Sequence, residues 1–190
     1  MRKFINLPNV LSLTRIALGA AAMLAIVAGS RPALILAAVL IVTGALTAIA
    51  NSTRRLKTPS ELSKSLDATC DAIFQLAVFL ALLIKGWMPL WAALCVYSCE
   101  IALPYLRSFG RQFEAKLPAK AFETIKGAAC WASQLAVVAI AAFAGPDFEV
   151  QGVPVLLTIF AVDAALALAV LVAFLQVLVQ AKRRMGASGR

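Results

Sequence analysis

The 190-residue chain contains no histidine, which removes imidazole metal ligation and histidine-based acid–base catalysis from any account of its chemistry. Charge is scarce too: Asp, Glu, Lys and Arg make up 14% of the residues, against about 25% in an ordinary soluble domain. The nine acids are outnumbered by 18 basic residues, and no acid lies between Gly29 and Glu61. Cys70, Cys95, Cys99 and Cys130 form no CxxC pair and fall in or beside apolar runs; they read as small apolar fillers in a reduced setting. Chemistry is left to carboxylates, Lys, Arg, hydroxyls or thiols.

What the chain has in excess is apolar sequence, 62% of all residues. A membrane-crossing helix needs roughly 20 mostly apolar residues, and six stretches qualify as candidates: about 9–29, 33–50, 66–84, 89–106, 121–144 and 153–180. The second is short and the fourth carries polar residues. The first continues without a small-residue cleavage site, so it reads as a retained helix rather than a signal peptide. The expected fold is an all-α integral membrane protein of six transmembrane helices, forming one domain over residues 1–190. Dense small residues in every span allow close helix packing.

Charge placement gives an independent test of that count. All Lys and Arg residues except Arg31 and Lys85 fall at the N-terminus and first helical turns, after span two, after span four, or in the tail. Short loops rich in Lys and Arg stay on the cytoplasmic side, so both termini are expected there, in a cell inner membrane. The net charge of +9 then reads as topology and anionic-lipid contact, not nucleic-acid binding, since no aromatic-basic interleaving accompanies it. Pro59-Ser60-Glu61 looks like a helix start with Ser60 as cap, which suggests a surface helix in the basic connection. Part of Arg107 to Ala121 is expected along the cytoplasmic interface, and Trp87 and Trp91 are placed as interfacial anchors.

Asp67 and Asp71 open the third span four residues apart, on one helical face. Carboxylates in a membrane helix are expensive and seldom idle, so the pair is the leading candidate site. The bland alternative is an ion pair with Arg54, Arg55 or Lys64 that locks the loop to the bundle. Arg15 is either a snorkelling topology signal or a phosphate contact. Arg107 and Lys120 read more readily as surface charges. Glu100 has Arg15 or Arg107 as candidate partners, and Asp163, near the middle of span six, calls for protonation or a polar partner across the bundle. A small solute transporter is a weaker reading resting on Asp163.

Pro8-Asn9-Val10-Leu11-Ser12-Leu13-Thr14-Arg15 resembles the opening of the CDP-alcohol phosphotransferase family, membrane enzymes that make phospholipids from cytidine-activated precursors; Ser12 stands where Thr is usual. The family signature is D-x2-D-G-x2-A-R-x8-G-x3-D-x3-D. Its second half is present as Ser63-x3-Asp67-x3-Asp71, with Ser for Gly. Its first half is damaged: after Leu46-Thr47, Ala48 takes the first acidic position, Asn51 the second and Ser52 the Gly position, and the interval to Asp67 is two residues shorter than the pattern.

The resemblance implies phosphatidyl transfer from CDP-diacylglycerol to a small alcohol with release of CMP. By position it makes Asp71 the base and a metal ligand, Asp67 a ligand and Asn51 a neutral remnant of one. Arg15, Arg54, Arg55, Arg107 and Lys120 become substrate contacts. It implies Mg²⁺ or Mn²⁺ as cofactor of an active enzyme, and a homodimer. With two negative charges gone from the metal site, weak metal binding or none is expected. The alternative is a non-catalytic relative that keeps the bundle to bind lipid or a protein partner.

Overall fold

A computed structural model describes residues 7–54, 61–112, 120–145 and 154–188. They form six α-helices: α1 Leu7–Ala28, α2 Arg31–Arg54, α3 Glu61–Ile84, α4 Leu90–Gln112, α5 Lys120–Ala144 and α6 Pro154–Ser188. No strand occurs among the described residues.

Five helices are long and apolar enough to cross a bilayer, through Asn9–Ala28, Arg31–Asn51, Leu66–Ile84, Thr124–Ala144 and Val155–Gln180. The second span is therefore longer than its sequence suggests. α4 differs: its apolar stretch is the shorter Leu90–Leu103, and that stretch contains Glu100. α3 starts at Glu61 and runs without a break into its span, so the expected surface helix is instead the first turns of α3. Ser60, its expected cap, lies outside the described residues, as do 113–119 of the expected interfacial segment.

The outside of the bundle is apolar. Leu24 (70%), Leu46 (60%), Ile49 (61%) and Phe143 (82%) are exposed, a surface that suits lipid and would be an aggregation hazard in water. Inside, burial follows helical spacing: Ser12, Arg15, Gly19, Ala22 and Ile26 on α1, and Leu34, Ala37, Ile41, Gly44 and Asn51 on α2. Small residues on these stripes matter because lipid tails are as apolar as leucine, leaving close packing to hold membrane helices together. α1 packs chiefly on α3 and α2, α2 also on α5, and α4 mainly on α6.

Phe74 fixes the approach of three helices. A Cβ placed on Gly19 would come within 2.9 Å of the Phe74 Cα, and one on Gly44 within 2.8 Å of its ring. On the α5 side the Phe74 ring meets Trp131, with centroids 4.6 Å apart and planes tilted by 37°. Polar bonds add to this packing: Gln134 Nε2 donates to the carbonyl of Gln75 at 3.0 Å and the Tyr97 hydroxyl to that of Leu76 at 2.7 Å. α5 and α4 are thereby tied to the same point of α3.

Gly86 ends α3 with φ 70°, a left-handed conformation that glycine adopts without a Cβ clash. Its N–H reaches the carbonyl of Leu83 at 3.0 Å and the next N–H, of Trp87, reaches Leu82 at 2.8 Å, the paired bonds of a Schellman cap. That turn folds Trp87 back into the bundle, where it is 2% exposed, with the Lys85 ammonium 5.8 Å from its ring centroid. Trp87 is thus a core residue rather than the expected anchor, while Trp91 is exposed.

Gly19→Ala is expected to destabilise the bundle by about 1–3 kcal/mol through overpacking against the Phe74 backbone. Gly127→Ala, whose Cβ meets nothing within 4 Å, should instead gain up to about 1 kcal/mol from helix propensity. Unfolding of both variants in mixed micelles checks the opposite signs.

Candidate functional site

Close approach of α1 to α3 at Gly19 and Phe74 sets the two helices in register one turn and two turns away, where their polar residues face each other. Arg15 precedes Gly19 by four residues and Ser12 precedes Arg15 by three, so all three share a face. On α3, Asp71 and Asp67 lie three and seven residues before Phe74 and form the matching face.

The result is a clasp. Arg15 Nη2 donates to Asp67 Oδ1, and Arg15 Nη1 donates to Asp71 Oδ1 at 3.2 Å. Two further donors converge on Asp67 Oδ1: the Ser12 hydroxyl at 2.8 Å and Asn51 Nδ2 at 2.7 Å. Asn51 Nδ2 also lies 2.9 Å from the Ser12 oxygen, closing a network across α1, α2 and α3. Arg15 and Asn51 are buried, whereas the side chains of Asp67 and Asp71 keep 22% and 33% exposure. The carboxylates are gripped from inside the bundle and open on the other side.

This geometry sorts the sequence expectations. Asp67, Asp71, Asn51 and Arg15 come together as one cluster, in which Arg15 is a counter-ion of both acids; the side chains of Arg54, Arg55 and Lys64, the other expected partners, lie outside the described residues. Arg15 is 1% exposed and bonded to both carboxylates, so of its two alternative readings the snorkelling one does not describe it. Ala48 is half-buried one turn before Asn51, on the stripe shared with Gly44; its methyl group offers a cation nothing. Arg54 closes α2, and Arg107 and Lys120 fall within α4 and at the start of α5, but the side chains of all three lie outside the described residues, as does Arg55 entirely.

A divalent ion fits this cluster poorly. Mg²⁺ demands near-octahedral oxygen coordination and is usually held by one or two carboxylates, yet Asp67 Oδ1 already accepts three donors. Asn51 turns its amide N–H groups toward that carboxylate, presenting hydrogens where a ligand oxygen would be wanted. Among the described residues no group of three or more Asp, Glu or Cys side chains is placed to hold a metal ion.

A second polar layer lies deeper, built on Glu100 and Asp163, whose partners the sequence did not identify. Glu100 of α4 forms a buried ion pair with Lys126 of α5 and not with the expected Arg15, and lies within electrostatic reach of Asp71; the side chain of Arg107, its other expected partner, lies outside the described residues. Asp163 of α6 is 1% exposed and has Ser133 of α5 beside it, but the Ser133 hydroxyl donates to the carbonyl of Cys130 at 3.0 Å and Asp163 Oδ2 is buried without a hydrogen-bond partner. Lys126 looked like one more basic residue of a cytoplasmic connection; its spacing of four residues before Cys130 and eight before Gln134, on the buried face of α5, was the available signal. Ser12 was legible only as a motif position, although its place three residues before Arg15 already put the two on one face.

A family model described as CDP-alcohol phosphatidyltransferase matches residues 5–173, which takes in the whole clasp and most of α6. Comparison with curated proteins and with solved structures gives no match.

Arg15→Ala would leave two adjacent carboxylates without their counter-charge, and the expected loss is about 3 kcal/mol, the low end for a broken buried pair because the acids are partly exposed. Asn51→Ala removes one hydrogen bond to a charged group and should cost about 1.5 kcal/mol. Chemical unfolding in mixed micelles measures both, and a smaller loss for Arg15→Ala than for Asn51→Ala would contradict this ordering.

Proposed function

The chain belongs to the CDP-alcohol phosphatidyltransferase family, and from that premise we propose that it acts in phospholipid biosynthesis at the cytoplasmic face of the inner membrane. Its substrates are CDP-diacylglycerol and a small alcohol, its products a phospholipid and CMP, and its metal site is eroded. The observation that carries this reading is the state of Asp71. One carboxylate oxygen is held by Arg15, while a third of the side chain remains exposed.

A carboxylate held this way can serve as a general base. As the acceptor hydroxyl attacks phosphorus, its proton passes to Asp71; the new P–O bond forms and the bond to CMP breaks, with CMP taking the electron pair. Arg15, Ser12 and Asn51 position the aspartates and touch no substrate atom. The family is generally metal-dependent, and because a divalent ion fits this cluster poorly, no step is assigned to one. Arg54, Arg55, Arg107 and Lys120 remain the candidates for binding the substrate's phosphates, on their match to the family pattern.

A second reading has its own support. Ala48 and Asn51 remove both acids of α2, which favours a non-catalytic relative that retains the bundle to bind lipid or a protein partner.

An assay separates the two. The purified chain in nanodiscs receives CDP-diacylglycerol labelled in its cytidine and a panel of small alcohols, with Mg²⁺, Mn²⁺ or chelator. Acceptor-dependent CMP release is expected, reduced by at least about 10²-fold in Asp71→Asn. Absence of CMP with every acceptor would end the catalytic reading. Native mass spectrometry showing neither retained lipid nor a partner would then count against the second.

A further inference from the structure

The two carboxylates that this chain retains already hold a cation of its own. We propose that Arg15 is the resident counter-cation of the cleft and stands in for a divalent metal, so that Asp67 and Asp71 keep their geometry with no metal bound. This rests on the family reading of those aspartates as the surviving half of a metal site, but not on turnover.

Three observations converge. Arg15 is shared with the family's opening pattern; what has changed is the number of acids it balances, since Ala48 and Asn51 stand at the other two positions. A guanidinium that spans both carboxylates, through Nη1 to Asp71 and Nη2 to Asp67, leaves the pair only one charge from neutral. A +2 ion bound to the same oxygens would sit against that fixed positive charge, which a guanidinium cannot shed by deprotonation. Being 1% exposed, Arg15 also cannot withdraw without carrying a bare charge through the apolar interior.

Asn51 completes the substitution. An aspartate there would face Asp67 and require a cation between them. The amide donates to Asp67 Oδ1 at 2.7 Å and removes that requirement. α1 supplies the charge and α2 a hydrogen bond, and together they do for Asp67 what a metal does for a carboxylate cluster.

Mn²⁺ binding to the full chain in nanodiscs, read by electron paramagnetic resonance, tests this without reference to activity. The wild-type protein should show no site-bound Mn²⁺, and Ala48→Asp combined with Asn51→Asp should raise affinity by about 100-fold or more through added ligand charge. Wild-type Tm should be the same in Mg²⁺ and in chelator, whereas Arg15→Gln should melt lower and recover part of the loss on adding Mg²⁺. Mn²⁺ bound by the wild type and displaced by Mg²⁺, a Mg²⁺-dependent wild-type Tm, or an Arg15→Gln protein indifferent to Mg²⁺ would each overturn the proposal. Should Arg15→Gln fail to fold in either condition, the wild-type measurements decide. Failure of CMP release alters none of these readouts.

Discussion

A guanidinium buried beside two carboxylates governs how the first three helices meet. Arg15 can lie in an apolar bundle only if its charge is matched within hydrogen-bonding distance, and Asp67 and Asp71 are where the match is made. That requirement fixes the register of α1 on α3, and the apolar contact one turn further on agrees with it: Gly19 meets the backbone of Phe74, and Gly44 of α2 meets its ring. Polar and apolar constraints on the same three helices thus lead to one arrangement. Such agreement between levels distinguishes a specified structure from a loose collection of apolar rods.

Polarity inside the bundle is layered. Nearest the ends that carry the basic connections is the Arg15 clasp; next comes the Glu100–Lys126 pair, and deeper still Asp163 with Ser133 and the Gln134 bond to α3. The second layer has a structural logic of its own. α4 has a shortened apolar stretch and packs mainly on α6, so the ion pair to Lys126 supplies a tie to α5 where apolar contact is limited. Family membership and the all-helical membrane fold are therefore accompanied by a cluster in which α3 supplies two carboxylates, α1 an arginine and α2 an amide in place of an acid.

The sequence made the helices legible because apolar length is a strong signal, and the family legible because Asp67 and Asp71 stand at a defined interval with a matching Pro-Asn opening. It was less informative wherever a side chain's partner lies on another helix. Asp67 bonds to Arg15, 52 residues earlier, a partner that its own stretch of the chain does not point to. Glu100 paired with Lys126 for the same reason: in a helical bundle, neighbours are set by facing stripes and not by sequence distance. Trp87 was misjudged because a turn can reverse a residue's direction within two positions, and the Gly86 cap does so. Asn51 shows the opposite case, since a register drawn through a damaged motif put it opposite Asp67, and a 2.7 Å bond is found there.

The long interval between Arg15 and its partners has a consequence for biogenesis. α1 emerges from the ribosome carrying a charge that neither it nor α2 can balance, since no acid precedes Glu61 in the chain. At about 5–20 residues per second, some seconds of elongation separate the arginine from the aspartates that will accept it. Through that interval the nascent hairpin of α1 and α2 must keep Arg15 near the headgroups or within an insertase, and it can settle to its final depth only when α3 arrives. Assembly of this bundle is therefore ordered by electrostatics, with the third helix licensing the first.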